Sequence, residues 1–180
     1  MSTERLVIAV SSCLLGEPTR YDGRSKPEPA VLEDLARRPG VVLVSVCPEV
    51  GVGMPVPREP VDLVGVPSAP RMLGVTSGTD WTERMHTWLH DRVATLAAGG
   101  VAGAVLKARS PSCGVDSTPV YPRLGDDPAA AAVGSGLFVL ALRERLPGLP
   151  LTDEERLRDP ARRDAFLAAA RAYRDRRRSG

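Results

Sequence analysis

The stretch Leu6-Val-Ile-Ala-Val10, followed at once by Ser11-Ser12-Cys13, decides the fold. Five consecutive apolar residues, three of them β-branched, leave neither face of a strand suited to water. They read as a buried strand of the parallel type. Two further runs repeat the pattern: Val41-Val-Leu-Val-Ser-Val46, ending at Cys47-Pro48-Glu49, and Gly103-Ala-Val-Leu106, entering Lys107-Ala-Arg-Ser-Pro-Ser-Cys113-Gly114. Helical patterns lie between them. Pro29 opens a short one with Val31, Leu32 and Leu35 on one face, and Pro39-Gly40 stops it. Thr79 or Asp80 caps a long one whose stripe is Met85, Leu89, Val93 and Leu96, and Gly99-Gly100 ends it. Gly134-Ser-Gly136 leads into an apolar helix, Pro150-Leu151 into a short strand, and Asp159 or Pro160 into a last helix. Residues 51–70 are dense in Gly and Pro, and residues 61–66 with 71–75 form an edge hairpin. Residues 122–132 read as an exposed loop. Alternating strands and helices predict an α/β domain, a mostly parallel sheet flanked by helices in three Rossmann-like layers. Ligands of such sheets sit beyond the carboxyl ends of the strands. Residues 1–180 read as one domain, with 151–180 a C-terminal helical extension.

Composition sets the outer limits. At 43% hydrophobic, 26% charged and a net charge of +2, the chain is not disordered in bulk. Its 180 residues suit one core without disulfide staples. No apolar run approaches the ~20 residues of a membrane span, and no signal-peptide pattern is present, which predicts a cytoplasmic protein. The charge is too small to argue for a nucleic-acid partner. Residues 151–180 carry nine Arg against six acids, ending in Arg174-Asp-Arg-Arg-Arg178, a run that reads as a solvated helix end. Arg outnumbers Lys 22 to 2, a coding bias and not a binding signal.

The three cysteines, Cys13, Cys47 and Cys113, form no CxxC knuckle, and their odd number does not suit a disulfide framework. Each falls at or just beyond the end of a proposed strand, so parallel strands put all three on one rim. Spacing leaves three readings open: an iron–sulfur cluster, a nucleophilic thiol, or three ordinary buried cysteines. A four-iron cluster on three cysteines would leave one iron open to an outside ligand. His86 and His90, at i and i+4 of the long helix, read as helix surface. Pro and Gly around the cysteines set tight turns whose N–H groups can reach sulfur. Glu49 places a carboxylate beside Cys47, with Arg58 as its ordinary ion-pair partner. Ser110 and Ser112 bracket Pro111 and either orient a ligand or make a plain serine turn.

These motifs, in this order, resemble one family. They are Cys13-Leu-Leu-Gly16 with Arg20-Tyr-Asp-Gly23, Cys47-Pro-Glu49 with Pro55-Val-Pro-Arg58, and Leu106-Lys107 with Ser110-Pro-Ser-Cys-Gly114. Together they are similar to the bacterial thiouracil desulfidases, long catalogued as a domain of unknown function. The resemblance runs from about Leu6 to Phe166. It implies a 4Fe-4S cluster on Cys13, Cys47 and Cys113, and a small thiolated base whose sulfur meets the open iron. It implies that a carboxylate, Glu49, and a serine, Ser112 with Ser110 as its rival, act in catalysis; Ser110, Ser12 and Lys107 are the expected substrate-binding residues. Thr19 stands where many relatives carry a further cysteine, Val50-Gly-Val-Gly-Met54 departs from the usual glycine pattern, and Asp62 replaces a usual Glu.

The implied reaction involves no net redox change. Water attacks the thiocarbonyl carbon, Glu49 takes its proton, and the products are the oxo base and hydrogen sulfide. Two rivals from other classes remain. A cluster-bearing binding or sensing module would release no sulfide, and a cluster-free enzyme with Cys113 as nucleophile would need an activating base.

Overall fold

The computed structural model describes residues 5–179. Four strands form a fully parallel sheet: β1 (Leu6–Ser11), β2 (Val41–Val46), β5 (Val101–Leu106) and β8 (Leu151–Asp153), in the order β2-β1-β5-β8. β5 is buried at every position, as its unbroken apolar run requires. The expected parallel α/β core is therefore present, and the helices flank it. Helix α2 (Thr82–Ala98) packs on β5 and on α3 (Leu137–Arg145), while α5 (Pro160–Ser179) packs on β1 and β5. Phe166 of α5 lies so close to Gly103 that a Cβ there would stand 2.9 Å from the ring. Residues 151–179 thus supply the fourth strand, a short helix α4 (Glu154–Leu157) and α5.

The edge hairpin is present as β3 (Val61–Val66) and β4 (Ala69–Gly74). It belongs to a second sheet, β4-β3-β6-β7, completed by β6 (Thr118–Tyr121) and β7 (Ala132–Gly134). These last two strands are four and three residues long, too short for periodicity to reveal. The early helix is a π-helical segment, Ala30–Leu35. The N-cap of α2 is Trp81, without a side-chain cap bond, and not Thr79 or Asp80 as expected; Asp80, one residue earlier, instead closes the approach turn, its Oδ1 accepting from the Thr82 backbone N–H at 3.0 Å and from Thr82 Oγ1 at 2.5 Å. Among the described residues no helix is long and apolar enough to cross a membrane.

One ion pair ties the loop after β5 to α3. Asp116 has a positive φ of 47°, a conformation that Asp tolerates better than most residues. Its carboxylate takes Arg143 Nη1 and Nη2 at 2.9 and 2.7 Å and the Ser135 hydroxyl at 2.7 Å. The Arg143 guanidinium, helped by Ser135, holds the Asp116 pKa down at about 2, from an ordinary 3.8. A depressed carboxylate stabilises the fold above its unfolded pKa, and that contribution is lost as pH falls through the folded value. Asp116→Asn, which keeps the tolerance for positive φ, is expected to lower the melting temperature at neutral pH. The gap to wild type should close between about pH 4 and pH 2 in thermal melts. A gap that persists unchanged at about pH 2 would show that the pairing is not its source.

Candidate active site

The carboxyl ends of β1, β2 and β5 open into one cavity of about 360 Å³. All three cysteines line it. Cys13 sits in a 3-10 turn, Ser12–Leu15, that follows β1 directly and ends at Gly16 with φ 93°. Cys47 follows Val46 and precedes a single helical turn, α1 (Pro48–Gly51), whose Gly51 N–H returns to the Cys47 carbonyl at 2.9 Å. Gly51 is packed under Trp88 of α2, with no room for a side chain. Thr19, the residue that departs from the family pattern, turns its carbonyl toward the Cys47 thiol at 4.0 Å.

The Cys113 loop is the most tightly braced of the three. Ser110 Oγ accepts from the N–H groups of Ser112 and Cys113 at 3.2 and 3.1 Å. The Ser110 carbonyl accepts from Gly114 N and Thr118 Oγ1. The first N–H groups of α3, at Leu137 and Phe138, bond the carbonyls of Pro111 and Ser112. Gly136 backs the loop so closely that a Cβ would stand 2.4 Å from the Ser112 carbonyl carbon. That contact is with backbone and cannot be relieved by a rotamer change. Gly136→Ala is therefore expected to cost about 1–3 kcal/mol in denaturant unfolding, the usual range for overpacking. Unchanged stability would mean that the loop yields freely.

Two candidates far apart in sequence meet here. Ser112 Oγ donates to Glu49 Oε1 at 2.9 Å. The other oxygen, Oε2, takes Arg58 Nε and Nη2 at 2.9 and 2.6 Å. Arg58 also donates to the Thr19 and Pro55 carbonyls, and it is nearly buried. Glu49 is thus both paired with Arg58 and bonded to Ser112, and all three line the cavity.

Lys107 lines the cavity as well, and its ammonium is held by Glu154 Oε1 at 2.5 Å and the Ala108 carbonyl at 3.0 Å. Glu154, 1% exposed, also accepts from the Ala108 N–H at 2.7 Å, which fixes the exit from β5. Both lysines of the chain, Lys26 and Lys107, border this one cavity. Ser12 and Ser110 line it too; His86 and His90 do not. His90 instead meets Arg145 on the helix surface.

The electrostatics of the thiols follow from burial. Desolvation pushes Cys13 up to about 11, and Cys47 and Cys113 are also raised, chiefly by burial. Cys47 raises Cys13 further, and Cys47 and Cys13 raise Cys113 further. Lys107 and Arg20 oppose the rise at Cys13, and a hydrogen bond from Ser11 opposes it at Cys113. Ser11 has the matching geometry: its Oγ accepts from the Lys107 N–H at 2.9 Å, leaving its own hydrogen for sulfur. Thiols raised in this way are poor nucleophiles on their own. Among the described residues no three His, Cys, Asp or Glu side chains gather closely enough for a single metal ion.

Sequence reasoning missed Ser11, Ser45, Glu17 and Glu154. Ser45 had a signal, as the one polar residue in the run Val41–Val46. Glu154 carried none, because its burial depends on β8 closing the sheet edge.

A parallel α/β domain with three thiols converging on a cavity at the carboxyl ends of its strands defines the class: a small α/β enzyme-like domain with a cysteine-centred site. The family model for 2-thiouracil desulfurase matches residues 8–154, and the chain belongs to that family. It is similar in structure to TudS, a 4Fe-4S-dependent thiouracil desulfidase. The two are 31% identical with a TM-score of 0.70, over 92% of this chain and 99% of that one. It is also 29% identical over 161 residues to the uncharacterized protein YbbK of Bacillus subtilis (strain 168), covering 85% of this chain and 99% of that protein. The expected family is thereby shown, and it supports an enzyme.

Proposed function

We propose that this protein removes sulfur from a small thiolated pyrimidine by hydrolysis, with Cys13, Cys47 and Cys113 holding a 4Fe-4S cluster. The observation that carries the reading is the convergence of three thiols and the Ser112–Glu49–Arg58 chain on one cavity. The donor set suits such a cluster: three soft ligands, with cationic Lys107, Arg20 and Arg58 around them to offset its negative charge. When bound, the cluster supplies an iron without a protein ligand, a Lewis acid for the substrate sulfur.

The chain's own residues handle the protons. Arg58 occupies Glu49 Oε2 with two N–H groups, so Oε1 is the oxygen left to receive a proton. Oε1 takes it from water as the water oxygen bonds to the thiocarbonyl carbon. Ser112, bonded to that same oxygen, then passes a proton toward the departing sulfur. The C–S bond breaks with its electron pair on sulfur as the proton left on the new hydroxyl leaves by the same Glu49–Ser112 route, so that C=O replaces C=S and water's two protons end on the sulfide. Nothing is oxidised or reduced. Lys107, anchored on Glu154, places positive charge where sulfide accumulates. Ser12 and Ser110 contact the ring.

Sulfide release by anaerobically reconstituted protein against free thiobases, thionucleosides and thiolated RNA tests the reading. The fastest turnover is expected on a small thiolated base. A protein that binds thiobases without releasing sulfide would be a sensing module instead.

A further inference from the structure

Ser45 interrupts an otherwise apolar strand, and its hydroxyl has a defined job. Its Oγ lies 2.5 Å from Glu17 Oε1 and 2.6 Å from Ser12 Oγ. A hydroxyl has one hydrogen to give, and a carboxylate accepts without donating. Ser45 therefore donates to Glu17, and the contact between the two hydroxyls is carried by the hydrogen of Ser12. Ser12 is buried at 4% exposure and lines the cavity. With its hydrogen spent, it presents only lone pairs there. Ser45 and Glu17 are not part of the cavity lining, so they reach it only through this chain. The same accounting gives the other serines their polarity. Ser112 spends its hydrogen on Glu49, whereas Ser110 accepts from two N–H groups and keeps a hydrogen to donate.

We propose that Ser12, locked as an acceptor by Ser45 and Glu17, is a specificity-determining residue that takes a ring N–H next to the thiocarbonyl. The preferred substrate class is then a cyclic thioamide that keeps this nitrogen unsubstituted. The proposal rests on the desulfidase reading. A buried acceptor left without a donor costs the full desolvation of that group, so a site built for an N–H rejects the analogue that lacks it. An apolar pocket discriminates far less over a single methyl.

The test compares wild type with Ser12→Ala, Ser45→Ala and Glu17→Gln in the iron-loaded protein. The ligands are 2-thiouracil and its 1-methyl and 3-methyl derivatives. The readouts are kcat/KM for each and, independently of turnover, calorimetric Kd values for uracil and the two methyluracils. Wild type is expected to disfavour one methylated ring by about 10-fold or more in both readouts. Ser12→Ala should abolish most of that preference. Glu17→Gln should reduce it about 3-fold or more, because the amide can donate as well as accept and releases the chain's polarity. Steric rejection of the methyl group would leave Glu17→Gln as selective as wild type, since Glu17 lies outside the cavity. That result, or full selectivity in Ser12→Ala, overturns the assignment. If no thiobase is turned over but uracil binding follows the expected pattern, the desulfidase reading fails while the role of Ser12 stands.

Discussion

Cys113→Ser is expected to lose iron and activity together. Cys113 is buried in the braced loop 110–114, at the cavity that Cys13 and Cys47 also line, and burial raises its pKa. The folded apoprotein thus holds it as a neutral thiol, and iron must displace the proton to bind. A thiolate repays that displacement with a soft ligand bond; a serine oxygen at the same position is a hard and far more basic donor. Reconstituted protein should fall from about four irons per chain to less than about half of that. Sulfide release should fall by about 10²-fold or more, since the open iron vanishes with the cluster. The loop itself should survive, because the bonds that brace it run through backbone groups, Ser110 and Thr118, and the one bond to the sulfur, from Ser11, can pass to a serine oxygen. Circular dichroism and melting of the apoprotein would check this. A Cys113→Ser protein with full iron and full turnover would remove Cys113 from the ligand set.

Glu49→Gln is expected to separate chemistry from assembly. The amide keeps the size of the carboxylate; its oxygen can still accept from Arg58 while its NH2 donates to the Ser112 hydroxyl, so the contacts that position the Cys47 turn remain. It cannot take a proton from water. Iron content should stay near wild type, while turnover falls about 10²-fold or more, the usual scale for losing a general base. Near-full turnover would leave Glu49 as a purely structural partner of Arg58. Loss of iron would mean that its charge holds the Cys47 turn in place.

The placement of the three cysteines was legible because it depends on local signals. An apolar run marks each strand, although β2, at the sheet edge, is half-buried up to Val46 and not fully buried as expected, and each cysteine follows the run or stands in the loop it enters. Parallel pairing then sends all three ends to one edge, which the register Ser11↔Val46 and Val10↔Val105 realises. Contacts between distant segments were not legible. Glu49 and Ser112 are 63 residues apart, and nothing local in either loop announces their hydrogen bond. The second sheet escaped for a related reason: β6 and β7 are stabilised by pairing across the sheet and by little of their own sequence. The role of Ser110 was half visible. Its place beside Pro111 suggested a turn, but only the geometry shows its oxygen bracing the backbone of Cys113.

Anaerobic reconstitution followed by a paired assay of the same sample tests the central claim most directly. Iron and acid-labile sulfide are counted per chain, and hydrogen sulfide and oxo base are measured on adding 2-thiouracil. The account predicts about four irons per chain, broad absorbance near roughly 400 nm, and equal amounts of sulfide and uracil. Sulfide release by an iron-free, colourless sample would contradict it, as would a fully loaded sample that converts no thiobase.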